Sequence, residues 1–124
     1  MLNLLQTKKV CQYDGMNFAI GVGEKKNNNI HAVSVISYNR HLEEGATYQL
    51  KEYAPNSMFG SYRDYYQDIS ETDYNTTSTI MGELKITYYD LDHAIISGTY
   101  WFDAINSKGE KVEVREGRFD MHYE

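Results

Sequence analysis

From Gly82 onward the apolar positions fall into three runs, GELKITYYD, AIISGTYWFDAI and KVEVREGRFDMHY, each rich in β-branched and aromatic residues and separated from the next by a short polar turn. Three adjacent antiparallel strands are expected. In the middle run Gly98, Tyr100, Phe102 and Ala104 share one side, while Ser97, Thr99, Trp101 and Asp103 share the other. The first set reads as core. Gly98 then marks a place where a neighbouring aromatic ring lies over the strand, or where the strand bends sharply. Asn106-Ser107-Lys108-Gly109 suits a type I turn closed by a left-handed glycine. In the last run Val112 and Val114 are even, whereas Phe119, Met121 and Tyr123 are odd, so one extra residue must be absorbed between them. Glu116-Gly117 is the expected β-bulge, with glycine taking the positive φ.

The earlier part of the chain follows the same logic with weaker patterning. Leu2 to Tyr13 is read as one strand or a strand with an irregular end, and Asp14-Gly15 as a two-residue turn. From Met16 to Gly23, Phe18, Ile20 and Val22 alternate with small or polar residues, which makes a hairpin partner for it. Glu24 to Asn29 (EKKNNN) is expected to be a solvated loop. Ile30 to Tyr38 reads as a central strand, because Ile30, Val33, Val35 and Ile36 are too dense for an element apolar on one side only. Asn39 to Gly45 fits a helical turn or a loop equally. Ala46 to Tyr53 alternates with Tyr48 and Leu50 on one face, and Pro55 ends it. Met58 to Tyr66 is a further candidate strand, followed by a long polar loop from Gln67 to Ser78 with a short strand at its end.

Turn signals spaced by roughly ten residues predict an all-β fold, an antiparallel sandwich or barrel of about seven to nine strands with little helix. The 124 residues are read as a single domain, residues 1–124, large enough to bury a core without disulfides or metal. Composition supports this: 12 Tyr against 1 Pro favours pleated, half-buried surfaces. A net charge of −6, with no basic cluster beyond Lys8-Lys9 and Lys25-Lys26, argues against nucleic acid. No apolar run approaches the roughly 18 residues that a membrane-spanning helix needs.

Candidate chemistry is thin. Cys11, the only cysteine, is read as an inert, buried thiol. His31, His41, His93 and His122 show no metal-ligand spacing. Asp68, Glu71 and Asp73 do not follow a calcium-loop pattern, and Asp90, Asp92 and His93 are read as a turn rather than an acid/base set. Asn75-Thr76-Thr77 matches a glycosylation sequon that carries no weight here. No catalytic residue, cofactor or metal ligand is assigned.

The pattern GELKIT followed by IISGTYWFDAINSKGEKVEVREGRFDMHY, preceded by GATYQL and a tyrosine-rich middle, resembles a family of small Bacteroidetes lipoproteins classed as a domain of unknown function. The resemblance runs from Gly45 to Tyr123 and is most specific in Ser97-Gly98-Thr99-Tyr100-Trp101-Phe102, Asp103-Ala104 and Gly117-Arg118-Phe119-Asp120. It implies a cell-envelope location, periplasmic or outer-membrane, with attachment to the membrane only through a lipid anchor. This chain shows neither a signal nor a lipobox around Cys11, so the resemblance implies an anchor removed with the signal; the alternative location is cytoplasmic. It carries over no catalytic residues.

Two functions from different classes are weighed. One is a non-enzymatic envelope domain that binds a small molecule, a glycan or an envelope protein. The other is a hydrolase or metal-dependent enzyme with a site assembled from dispersed Asp, His and Tyr residues. The first is preferred, since no nucleophile and base stand at recognisable spacing. The tyrosines of the irregular middle are read first as covering the open end of the fold, with ring bodies buried and hydroxyls in water. The rival reading makes Tyr62, Tyr65, Tyr66 and Tyr74 the candidate ligand or partner surface, because tyrosine offers a large contact area at low entropic cost.

Overall fold

The computed structural model describes residues 8–26, 29–66 and 70–123, without the side chains of residues 8, 9, 24–26, 29, 30, 65, 66 and 70–72. Within them the chain forms nine strands: β1 (Lys8–Tyr13), β2 (Phe18–Lys26), β3 (Asn29–Ser37), β4 (Thr47–Leu50), β5 (Met58–Tyr66), β6 (Ser70–Asn75), β7 (Gly82–Asp90), β8 (Ile95–Ile105) and β9 (Lys111–His122). All pair antiparallel in one sheet of order β1-β2-β3-β5-β6-β8-β7-β4, with β9 on the other edge of β8. No helix occurs among the described residues. The all-β reading therefore holds.

The path has a weak joint. β6 meets β8 through one residue pair, Asn75 with Ile105, whereas β5 pairs with β6 over six positions. There the sheet folds over, and its two halves share a core. Phe18 of β2 packs on Phe119 of β9 with ring centroids 5.7 Å apart, and Tyr13 of β1 meets Tyr123 at 5.4 Å. Phe102 of β8 lies so close over Gly60 of β5 that a Cβ there would stand 2.7 Å from the ring. Among the described residues no ladder joins β1 to β4 or β9.

Alternation explains which residues meet in this core. Phe18, Ile20 and Val22 of β2, Val33 and Val35 of β3, and Leu84 and Ile86 of β7 are buried, as are Tyr100, Phe102 and Ala104 of β8. β3 is central, as expected, and its outward-facing Ile36 is half-buried opposite Phe59. Gly98 does lie under a ring, that of Phe119. The three C-terminal strands are adjacent.

Several expectations need correction. The strands continue through most of Glu24 to Asn29, because β2 runs to Lys26 and β3 starts at Asn29. The long loop from Gln67 to Ser78 contains β6, whose alternation is hidden by its polar composition. The β1–β2 connection spans four residues, not two, since Tyr13 pairs with Phe18 and the Asp14 carboxylate accepts the Met16 and Asn17 N–H groups at 2.9 and 2.7 Å. The bulge is present, with Arg115 and Glu116 together opposing Trp101, but the positive φ of 56° belongs to Glu116. Gly117 serves a different need: the Tyr100 ring occupies the place of a side chain there. Asn39 to Gly45 is a loop whose Leu42 is fully buried. The beginning of the first expected strand, from Leu2, lies outside the described residues.

Candidate functional site

The inward face of the first half of the sheet changes character toward one end. Along β3 the inward positions run Val35, Val33, His31; along β5 they run Gly60, Tyr62, Asp64. Register sets them in rows: Val33 pairs with Tyr62 and Tyr62 with Tyr74, while His31 pairs with Asp64. Among the described side chains the aromatic row is the last that packs on the apolar core, and the polar row lies next to it.

Within these rows the side chains converge. Tyr62 and Tyr74 stand edge to face with centroids 5.7 Å apart, both half-buried against the core. The Tyr62 hydroxyl lies 2.8 Å from His31 Nδ1, and the same nitrogen is 3.4 Å from Asp64 Oδ1. As neutral acceptor, Nδ1 takes the phenolic O–H; protonated, it donates to the carboxylate. The imidazole and carboxylate are 29% and 44% exposed, so their attraction is screened and holds geometry more than it adds stability. The arrangement presents two ring edges or faces beside a phenol, an imidazole and a carboxylate. Such a set suits a neutral, hydroxyl-rich ligand with an apolar face.

Of the four tyrosines singled out in the sequence, Tyr62 and Tyr74 are thus brought together. Tyr65 and Tyr66 belong to β5 by backbone pairing with Ile30 and Asn29; their side chains lie outside the described residues. Tyr53 is elsewhere, in a separate cluster with Tyr38 and Phe59, and is 65% exposed. Sequence reasoning passed over His31 as a site residue. Its signal was its parity with Val33 and Val35, two and four residues on along the same strand face.

The remaining candidates resolve into structural roles. Asp90 caps its turn, accepting from the His93 N–H at 3.2 Å with the His93 ring 2.8 Å away; the ring contact leads in holding this carboxyl below its usual range. Burial pushes the Cys11 thiol up to about 11, as fits an inert sulfhydryl. Asp73 pairs with Arg63 at 3.2 Å across β5 and β6, and Asp68 lies outside the described residues. Trp101, 38% exposed on the outer face, is covered by the Arg115 guanidinium at 5.1 Å, which also binds Asp103 at 2.6 Å and Glu113 at 3.0 Å. Among the described residues no group of three or more His, Cys, Asp or Glu could hold a metal ion. No described helix is long and apolar enough to cross a membrane.

A family model described as Domain of unknown function (DUF6252) matches residues 24–121. The matched span contains His31, Tyr62, Asp64 and Tyr74, and leaves out β1 and the start of β2. No curated protein and no solved structure matches the chain.

Proposed function

The chain belongs to this family of domains of unknown function, and on that premise we propose that it is a non-catalytic, lipid-anchored cell-envelope domain that binds a glycan at the aromatic end of its inner face. The envelope placement rests on the resemblance of Ser97 to Phe102 and Gly117 to Asp120 to small Bacteroidetes lipoproteins. The binding reading is carried by one observation: the Tyr62–Tyr74 pair ends the core half-exposed, with its hydroxyl set by His31. A ring pair needed only for packing does not require a neighbouring imidazole and carboxylate. A sugar does, because its apolar face stacks on tyrosine while its hydroxyls need both donors and acceptors.

The competing hydrolytic reading draws on the same convergence of Asp64, His31 and Tyr62. Calorimetric titration with a panel of neutral oligosaccharides, followed by chromatography of the recovered sugar, separates the two. Binding with the sugar recovered intact is expected; cleavage would replace binding with turnover. Tyr74→Ala and His31→Ala should each weaken binding about tenfold or more while leaving the folded state intact. A wild-type protein that binds nothing in the panel, or a Tyr74→Ala variant that binds equally well, ends the glycan reading. Expression from the native gene followed by membrane fractionation tests the anchor separately.

A further inference from the structure

Beside β4, and distinct from the tyrosine end, lies a depression of about 360 Å³. Its walls carry Arg40 and Lys51 with the neutral hydrogen-bonding side chains of Tyr48, Gln49, Asn56 and Ser57, and among the described residues no carboxylate lines it. For a chain of net charge −6 this is a local reversal of sign. Both cations stand without an ion pair among the described residues, as do Lys85, Lys108 and Arg118, but only these two share a concavity; Arg63, Lys111 and Arg115 are paired.

The walls are ordered by contacts independent of any ligand. The Arg40 guanidinium lies 5.3 Å over the Tyr48 ring, and the Tyr48 hydroxyl accepts the Glu43 N–H at 2.9 Å. The Lys51 N–H donates to the Met58 carbonyl at 2.9 Å. The turn between them is closed by Ala54 N–H to Ser57 Oγ at 2.8 Å and Ser57 N–H to the Ala54 carbonyl at 3.1 Å. Arg40, whose N–H donates to the Met16 carbonyl at 2.8 Å, and Lys51 are therefore attached to held backbone around one concavity, which lowers the ordering cost of binding.

We propose that this depression is a binding site for an oxyanion group, a carboxylate, sulfate or phosphate, held by Arg40 and Lys51 with neutral donors around it. The group can be a free anion or one borne on a sugar. The site is independent of the tyrosine end, and its test does not pass through that reading.

The test is a titration of isotope-labelled protein with sodium sulfate, sodium glucuronate and glucose, each at constant ionic strength set by chloride, followed by amide chemical shifts. Sulfate and glucuronate should give saturable shifts confined to Arg40 and residues 47–51 and 56–58, and glucose none there. Sulfate equal to or tighter than glucuronate indicates a free anion; glucuronate tighter than sulfate indicates an anion on a sugar. Lys51→Gln should weaken both about tenfold, and Lys51→Glu should abolish them. Arg40→Gln should act likewise; Lys51 is exposed, so its variants keep the test valid if loss of the Arg40–Tyr48 contact disturbs the fold. Shifts that never saturate, spread over the whole surface, appear equally with glucose or survive Lys51→Glu would overturn the proposal.

Discussion

Tyr100 and Gly117 face each other across the β8–β9 ladder, so close that a Cβ on the glycine would lie 2.3 Å from Cε2 of the phenol ring. The neighbouring Glu116, not Gly117, carries the positive φ of the bulge. The two adjacent positions therefore respond in opposite directions. Gly117→Ala forces the buried ring away and should cost about 1–3 kcal/mol, the range for overpacking. Glu116→Gly removes a left-handed strain of roughly 1–2 kcal/mol and adds a smaller entropic penalty, so it should leave stability unchanged or raise it by up to about 1 kcal/mol. Urea melts of both variants decide the matter; a destabilising Glu116→Gly would show that the Glu116 side chain matters more than its backbone.

Phe102 and Phe119 are both buried in the one core, Phe102 over Gly60 and Phe119 over Gly98. Replacing either by Ala should cost on the order of 3–5 kcal/mol. Leu42 belongs with them although it sits in a loop: it is fully buried, and its N–H donates to the Tyr13 hydroxyl at 2.9 Å. Leu42→Ala should lie within about 2–5 kcal/mol in the same melts. A loss below about 1 kcal/mol would mean that the loop relaxes to fill the space.

That contrast shows which features were legible beforehand. Period-two alternation marks a strand when the outward residues are polar and the inward ones apolar, as in Leu84 to Ile86 or Tyr100 to Ala104. It fails for β6, SETDYN, where five of the six residues are polar and Tyr74 alone carries an apolar ring. It is silent on Leu42, a lone apolar residue among Arg, His and Glu, whose burial depends on where the Asn39–Gly45 loop crosses Tyr13. The site divides in the same way. The tyrosines stand out by composition, but the pairing of His31 with Asp64 and of Tyr62 with Tyr74 depends on long-range register between β3, β5 and β6. The depression at Arg40 and Lys51 needs two loops to approach β4, and no local pattern records that.

Two buried hydroxyls give a paired prediction. Thr76 Oγ1 accepts the Gly60 N–H at 3.0 Å and donates to the Lys51 carbonyl, tying the end of β6 to β5 and to the loop after β4. Ser37 Oγ is fully buried with no hydrogen-bond partner among the described residues. Thr76→Val keeps the shape but strands a donor and an acceptor, and should cost about 1–3 kcal/mol. Ser37→Ala removes a desolvated group that gains nothing in return, and should be neutral or stabilising by up to about 1 kcal/mol. Thermal and urea unfolding measure both; equal losses in the two variants would contradict the hydrogen-bond assignment at Thr76.

The alkaline limb of stability follows from burial of weak acids. Desolvation pushes the Cys11 thiol from 9.0 up to about 11, and also raises Tyr13 and Tyr100, for Tyr13 against an opposing hydrogen bond from the Leu42 N–H. Each group keeps its proton more tightly when folded than when unfolded. The folded state is thus favoured fully below the unfolded values, and this advantage is lost as pH rises through the folded ones. Stability should therefore be level with respect to Cys11 below about pH 9 and fall between pH 9 and 11. The same burial makes two further results expected. Iodoacetamide at pH 8 should leave native Cys11 unmodified while alkylating it in urea. In Cys11→Ala the alkaline decline should begin later, with what remains tracking tyrosinate absorbance. Rapid alkylation of the native protein at pH 8 would mean that β1 opens at the edge of the sheet often enough to expose the thiol, and that its burial is not maintained in solution.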